Sequence, residues 1–240
     1  MSLEATAVTS GYGEMQVLWG IDLSVADDEA VVLLGANGAG KTTLLRTVVG
    51  LLPLRSGEIR FLGERVDHLR ADQRVQRGMS FMSETGVFPD LSIEDNLRLG
   101  GYGLARPVVA ASLERTWEMF PQLRPRRREP AGALSGGQRK ILGVARALVR
   151  EPRLLVMDEP SSGLSPLFVN ELVDLLQGVR AHSSVTLLLA EQNVTFLGLA
   201  DRAYVIEGGR TRFEGTVADF ERSADIREAF FGLSSHDPAP

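Results

Sequence analysis

Residues Gly35 to Thr42 read GANGAGKT, glycines, a lysine and a hydroxyl at the spacing of a phosphate-binding loop. Gly35, Gly38 and Gly40 let the backbone curl so that consecutive N–H groups and a following helix N-terminus converge on the β-phosphate of a nucleotide. Lys41 adds a positive charge between the β- and γ-phosphates, and Thr42 offers its hydroxyl to Mg²⁺. Further along, residues 153–160 read RLLVMDEP, an apolar strand ending in two carboxylates. Asp158, last on the strand, suits the metal side of such a site, and Glu159 then faces the γ-phosphate, where it could polarise an attacking water. A strand ending in Asp-Glu-Pro is also an ordinary surface turn; the phosphate loop upstream favours the chemical reading.

A second glycine-rich motif, LSGGQ, occupies Leu134 to Gln138. A helical stretch from Gln138 to Arg150 follows it, which puts Ser135, Gly136 and Gly137 at another helix N-terminus and so at another anion-binding geometry. One nucleotide cannot easily use two helix N-termini from distant parts of one chain. The simplest arrangement sandwiches ATP between this loop and the phosphate loop of a second subunit, with hydrolysis coupled to closure and opening of the pair.

The elements that must position these residues are legible in outline. The apolar run Ala30 to Leu34 reads as a buried strand and Lys41 to Gly50 as a helix, so that strand, glycine loop and helix follow in order. Buried runs at Val31–Leu34, Leu154–Met157 and Val185–Leu189 predict a mainly parallel core sheet covered on both faces, an α/β architecture. Leu3 to Val25 and Gly57 to Leu62 alternate loosely and predict a peripheral antiparallel sheet. Between about 92 and 133 the pattern turns helical around ERTWEMF, a helical subdomain within a single domain spanning 1–233. A short amphipathic helix is expected over 224–233, and a frayed tail over 234–240.

With motifs in this order over nearly the whole length, the chain resembles the ATP-binding subunits of ABC transporters. The wording ALSGGQRKILGVARALVREPRLLVMDEPSSGLSP, LLLAEQNV and ADRAYVIEGGRTRFEGT is similar to the second ATPase subunit of branched-chain amino acid importers, wording shared by relatives that import urea or other small amides. The resemblance implies ATP and Mg²⁺ as ligands and ATP hydrolysis as the activity. Tyr12 matches the aromatic that stacks on adenine. Gly35, Asn37, Gly38, Gly40, Lys41, Thr42 and Thr43 match the phosphate loop, and Ser135, Gly136, Gly137 and Gln138 the signature. Asp158 and Glu159 match the metal-side and water-side carboxylates. The implied partners are two transmembrane permease subunits, a second ATPase subunit and, indirectly, an external solute-binding protein, at the cytoplasmic face of the inner membrane. Branched-chain systems generally use two different ATPase subunits, which favours a heterodimer over a pair of identical chains. The helical subdomain and the Glu84 loop would form the groove for a short helix of the permease. Trp117, Met119 and Phe120 are candidates to line it, although apolar residues at helical spacing read better as core.

Three positions depart from the commonest family pattern. Glu84 stands where a glutamine usually contacts Mg²⁺ and water, and an ionised carboxylate can take metal but cannot donate a hydrogen bond. Gln192 stands where a histidine usually grips the γ-phosphate, and it keeps a donor and an acceptor without a titratable proton. Ser165 replaces the usual aspartate of the loop bridging the two nucleotide sites. These are read as the branched-chain subgroup's variant pattern, with a weakened site as the alternative; Glu159 keeps hydrolysis possible either way.

Composition sets limits. The 240 residues, 44% hydrophobic, can bury one good core. There is no cysteine, which excludes disulfides and thiolate chemistry. No apolar stretch approaches the roughly 20 residues that span a bilayer, and the first residues lack a basic start followed by an apolar core, so a chain neither exported nor embedded is expected. A net charge of −5 gives no general attraction to nucleic acid. Arg124, Arg126, Arg127 and Arg128 form a local basic run between prolines, read as a solvated loop, with a protein contact as the alternative. His68, His182 and His236 are scattered and read as solvated loop residues. Alternative functions are a soluble ABC ATPase of translation or DNA maintenance, which would predict tandem ATPase domains or a long coiled-coil insertion, and a low-turnover nucleotide-binding regulator.

Overall fold

The computed structural model describes residues 1–84 and 86–231. In chain order its elements are β1 (Leu3–Tyr12), β2 (Met15–Val25), β3 (Ala30–Leu34), α1 (Lys41–Val48), β4 (Ser56–Phe61), β5 (Glu64–Arg65), α2 (Ala71–Gln76), β6 (Met79–Met82), α3 (Ile93–Gly100), α4 (Arg106–Met119), α5 (Gly136–Leu148), β7 (Leu154–Asp158), α6 (Pro166–His182), β8 (Thr186–Glu191), β9 (Arg202–Glu207), β10 (Arg210–Thr216), α7 (Val217–Arg222) and α8 (Ala224–Phe231). A six-stranded sheet has the order β10-β9-β3-β8-β7-β6, and a four-stranded sheet the order β2-β1-β4-β5. In the larger sheet the pairs β3/β8, β3/β9, β6/β7 and β7/β8 are parallel, and β9/β10 is antiparallel. The smaller sheet is antiparallel throughout.

The continuous apolar runs of β3, β7 and β8 hide a period of two. Val32, Leu155 and Leu189 face one core, which they share with Leu97, Trp117, Leu142 and Leu172 of the helices. Val31, Leu154 and Leu188 face a second core with Leu44 and Leu45 of α1 and with Leu3, Ile21 and Ile59 of the antiparallel sheet. Strands buried on both faces show no polar side, which is why the runs read as uninterrupted. The mainly parallel core sheet and the antiparallel peripheral sheet are as the sequence implies. The short edge strand β6 and the hairpin β9–β10 lie outside the runs singled out there.

One buried cation braces the phosphate-loop side. Arg74 of α2, 2% exposed, donates to the carbonyls of Thr47 and Val48 at the end of α1 and to those of Asp67 and Leu69. A positive charge there satisfies the last carbonyls of α1 and opposes the helix dipole.

Several local expectations need correction. The arginine run is a loop only in part: Pro121–Arg126 is a 3-10 helix with Pro125 inside it, while Arg127 and the exposed Arg128 lie in the turn that follows. Arg124 pairs with Glu114, Arg126 with Glu129 and Arg127 with Glu94. His182 ends α6, its Nδ1 2.8 Å from the Gly178 carbonyl, rather than lying in a loop. His68 sits exposed in a turn, and His236 lies outside the described residues, as does the segment 234–240. Trp117 and Phe120 are core, but Met119 is 41% exposed, in a cleft between α4 and α6.

Candidate nucleotide site

The phosphate loop connects β3, which has all five residues buried, to α1. Gly38 at φ +78° and Gly40 at φ +110° hold left-handed backbone that a side chain would strain. A Cβ on Gly38 would meet no protein atom within 4 Å, so the space beside the loop at Gly38 is open. Gly40 is the N-cap of α1 and provides no side-chain cap, and the N–H groups of the first turn have no intrahelical acceptor. This donor set suits phosphate.

Lys41, 3% exposed, donates from Nζ to the carbonyls of Gly35 at 2.7 Å and Ala36 at 3.1 Å. It lies 3.7 Å from Glu159 Oε1. Burial pushes its ammonium below the usual lysine range, against the pull of Glu159, Glu191 and Asp158. Thr42 Oγ1 donates to Asp158 Oδ1 at 2.8 Å, which ties the start of α1 to the end of β7. Burial raises the Asp158 carboxyl, while the Thr42 bond draws it back. Gln192 Nε2 bridges Asn37 Oδ1 at 2.8 Å and Glu159 Oε1 at 3.1 Å. Asn37, Lys41, Thr42, Asp158, Glu159 and Gln192 are thus one connected group, although they span more than half the chain.

Glu159 has φ +46°, a left-handed conformation costing a non-glycine residue about 1–2 kcal/mol. Backbone bonds hold it there: its N–H donates to the Ala190 carbonyl at 2.9 Å, and its carbonyl accepts from Ser162 N–H at 3.1 Å. Strain of this kind at a carboxylate facing a phosphate loop is a mark of a functional site.

Glu84 joins from the loop after β6. Its Oε1 accepts from Ser162 Oγ at 2.8 Å. Among the described residues no three carboxylates or imidazoles converge to hold a cation by themselves. Hard oxygen donors from Thr42, Asp158 and Glu84 fit Mg²⁺, an ion bound through one or two carboxylates together with substrate phosphates.

Tyr12 ends β1 at 39% exposure. That strand is tied to α1 by a hydrogen bond from Thr47 Oγ1 to Ser10 Oγ at 2.9 Å. Thr43 lies buried in the first turn of α1.

The signature residues lie apart. No hydrogen bond or ion pair among the described residues joins Ser135–Gln138 to residues 35–43. Ser135 caps α5: its Oγ accepts from Gln138 N–H at 3.2 Å, and Gln138 Oε1 accepts from Ser135 N–H at 3.1 Å. Gly136 is exposed, and a Cβ there would meet nothing within 4 Å; one on Gly137 would lie 2.5 Å from the Phe168 ring. Gln138 is therefore engaged within its own chain, and Arg126 Nη1 also donates to its Oε1 at 3.0 Å.

Two residues of this region, Glu191 and Lys140, carry no motif and are not singled out from sequence, and a third, Arg126, is singled out there only as part of the basic run. Arg126 reaches the signature from the basic run. Glu191, 1% exposed, accepts from Ser161 N–H at 2.8 Å, Ser161 Oγ at 2.7 Å and Gln192 N–H at 3.2 Å. Burial raises its carboxyl above the ordinary value. Lys140 on α5 reaches the carbonyls of Glu84 and Glu159. A carboxylate ending the apolar run LLLAE was the available signal for Glu191; nothing local distinguishes Lys140.

The fold and site together define a nucleotide-driven ATPase domain, and comparison with known proteins gives the same class. Residues 18–162 match the family model described as ABC transporter, and the chain belongs to that family of ATPases. It is 37% identical over 227 residues, 94% of this chain and 97% of the relative, to the high-affinity branched-chain amino acid transport ATP-binding protein BraG of Pseudomonas aeruginosa. It is 34% identical over 233 residues, 96% and 99% respectively, to the probable branched-chain amino acid transport ATP-binding protein LivF of Archaeoglobus fulgidus. Among solved structures, a nucleotide-free ATP-binding cassette from an ABC transporter superposes with a TM-score of 0.83 at 22% identity, covering 95% of this chain and 97% of that one.

Proposed function

We propose that this chain is the ATP-hydrolysing subunit of an importer for branched-chain or other small amino acids or amides, urea-type solutes included. The observation that carries the catalytic part is the joined group of Lys41, Thr42, Asp158, Glu159 and Gln192. The names of the relatives at 37% and 34% identity support the solute class.

Bound Mg²⁺ would supply charge neutralisation at the phosphates, and Thr42, Asp158 and Glu84 would hold it. Lys41 and the loop N–H groups bind and orient the phosphates. Glu159, fixed by its left-handed backbone and by the Gln192 bridge, accepts a hydrogen bond from the attacking water and takes its proton as the water oxygen bonds to the γ-phosphorus and the bond from that phosphorus to the β–γ bridging oxygen breaks, with ADP as the leaving group. Tyr12 stacks on the adenine. Ser135 and Gly136, exposed and remote from the loop of their own chain, complete the site of a second ATPase subunit, a sibling or an identical copy.

One cleft supports a contact with the permease. A cleft of about 300 Å³ is lined by Leu51, Val75, Phe81, Phe88, Leu99 and Arg146, with Leu51 and Phe88 more than half exposed. It is bounded by α2, β6, α3 and α5, an apolar groove suited to one short amphipathic helix. Trp117 and Phe120 take no part in it. Among the described residues no helix is long and apolar enough to cross a membrane, consistent with a peripheral subunit docked on permeases at the cytoplasmic face.

Affinity purification of the tagged chain from host membranes, with mass spectrometry, tests this assignment. Two permease subunits and a second ATPase are expected; ribosomal or DNA-repair proteins without a permease would overturn it. In the same preparation Glu159→Gln is expected to lower turnover at least about 100-fold while ATP binding persists and a closed dimer accumulates. Turnover near zero in the wild-type complex, with tight ATP binding, would favour a regulator instead.

A further inference from the structure

Lys140 sits on α5 two residues beyond the signature, yet its side chain leaves the signature and enters the catalytic region of its own chain. Its Nζ donates to the Glu84 carbonyl at 2.7 Å and to the Glu159 carbonyl at 3.3 Å. The ammonium is drawn into a region rich in carboxylates, Glu84, Asp158, Glu159 and Glu191. Ser162 completes the arrangement, donating from Oγ to Glu84 Oε1 and from N–H to the Glu159 carbonyl. One cation therefore holds three separate segments: α5, the loop after β6 and the end of β7.

We propose that Lys140 is a positioning residue that couples the signature helix to the water-side carboxylate of the same chain. The inference rests on the site assignment above and deepens it. The two glycine motifs of one chain serve two different nucleotides, so a link within the chain between α5 and Glu159 is a link between the two sites. When α5 shifts as its signature engages the partner's nucleotide, Lys140 carries the shift to the Glu159 carbonyl. The Glu159 carbonyl is one of the two backbone groups that hold its left-handed conformation, so its carboxylate follows. Lys140 also supplies a fixed positive charge near Glu84, the carboxylate that stands where a neutral glutamine is usual in the family.

The test uses the affinity-purified complex described above. Hydrogen–deuterium exchange of the nucleotide-free protein is compared between wild type and Lys140→Met, and steady-state hydrolysis is measured on both. Faster exchange over residues 84–86 and 159–162 with no change over 41–48 is expected. With it should come a fall of about tenfold in kcat and a KM for ATP unchanged within about twofold, the pattern of a lost positioning bond to a charged donor. Lys140→Arg, which keeps the charge and two donors, should recover most of the rate. Unchanged exchange, or more than half of the wild-type kcat in Lys140→Met, would overturn the inference, as would a loss that Lys140→Arg does not relieve. Should Lys140→Met lack a cooperative melt, Lys140→Gln replaces it under the same criteria. If Glu159→Gln still arrests turnover while Lys140→Met does not, the coupling fails and the site assignment stands; if Glu159→Gln has no effect, the site assignment itself fails.

Discussion

The two glycine-rich motifs of this chain both precede helices, and they treat the helix N-terminus in opposite ways. At the phosphate loop the N-cap is Gly40, with no side chain to satisfy the first-turn N–H groups of α1. Those donors stay available, and the acid, amide and lysine groups of the same chain converge beside them. At the signature Ser135 and Gln138 close a capping box on α5, and among the described residues no hydrogen bond or ion pair joins it to the phosphate loop. An uncapped N-terminus backed by charge makes a nearly complete binding site. A self-capped, exposed N-terminus is a rigid surface, complete only against another molecule.

The sharpest way to break this contrast is Lys41→Ala. It removes a buried cation from the loop and is expected to weaken binding of a fluorescent ATP analogue by about ten- to hundredfold, the range of a hydrogen bond to a charged group. Affinity within twofold of wild type would mean that the loop does not hold the phosphates.

The signature glycines separate stability from function. Gly136→Ala meets no protein atom and adds helix propensity, so melting is expected to hold or rise slightly. Hydrolysis should nevertheless fall about tenfold, because the methyl intrudes where a partner's nucleotide packs and overfilling such a contact costs about 1–3 kcal/mol. Gly137→Ala instead collides with Phe168 and should lose about 1–3 kcal/mol of stability in urea titrations. Equal melting and equal activity losses for the two variants would remove the distinction.

A smaller effect is expected for Arg126→Ala. Its pair with Glu129 is partly exposed to solvent, so the melting temperature should hardly change. Release of Gln138 should still slow hydrolysis by about threefold. The least effect falls on the element between the regions, Glu191→Gln. Burial raises the Glu191 carboxyl above its ordinary 4.5, so the folded chain holds that proton more tightly than the unfolded chain. Its contribution to stability is complete below that value and is lost as pH rises through the folded pKa. Urea midpoints measured from about pH 4 to about pH 8 should therefore decline less steeply in Glu191→Gln than in wild type; parallel declines would show that this carboxyl is not the source.

Much of the site was legible because its parts are short and contiguous. Strand, loop and helix from Ala30 to Val48 come from one stretch, and so do the strand and carboxylates of 154–159. Local geometry alone aims such residues. The turn at Arg127 and Arg128 is legible in the sequence, but the ion pairs of the arginine run are not, because Glu94, Glu114 and Glu129 come from three segments and meet the arginines in space. Gln138 was read as a ligand contact because its motif carries that role, and its bonds to Ser135 and Arg126 belong to folded geometry. Trp117, Met119 and Phe120 read alike as helical apolar positions; only burial in the folded core separates two of them from one at a cleft.

The sequence by itself determined the family, the parallel core with its antiparallel flank, and the identity of the loop, signature and carboxylate residues, because each depends on neighbours within about ten positions and on hydrophobic period. Tertiary structure alone decided which groups touch: Thr42 with Asp158, Gln192 with Asn37 and Glu159, Arg126 with Gln138, Lys140 with Glu84 and Glu159. Those pairs are 12 to 155 residues apart in the chain. No local propensity encodes such a meeting; it follows from how the sheet orders its strands and from the two cores that press helices against either face.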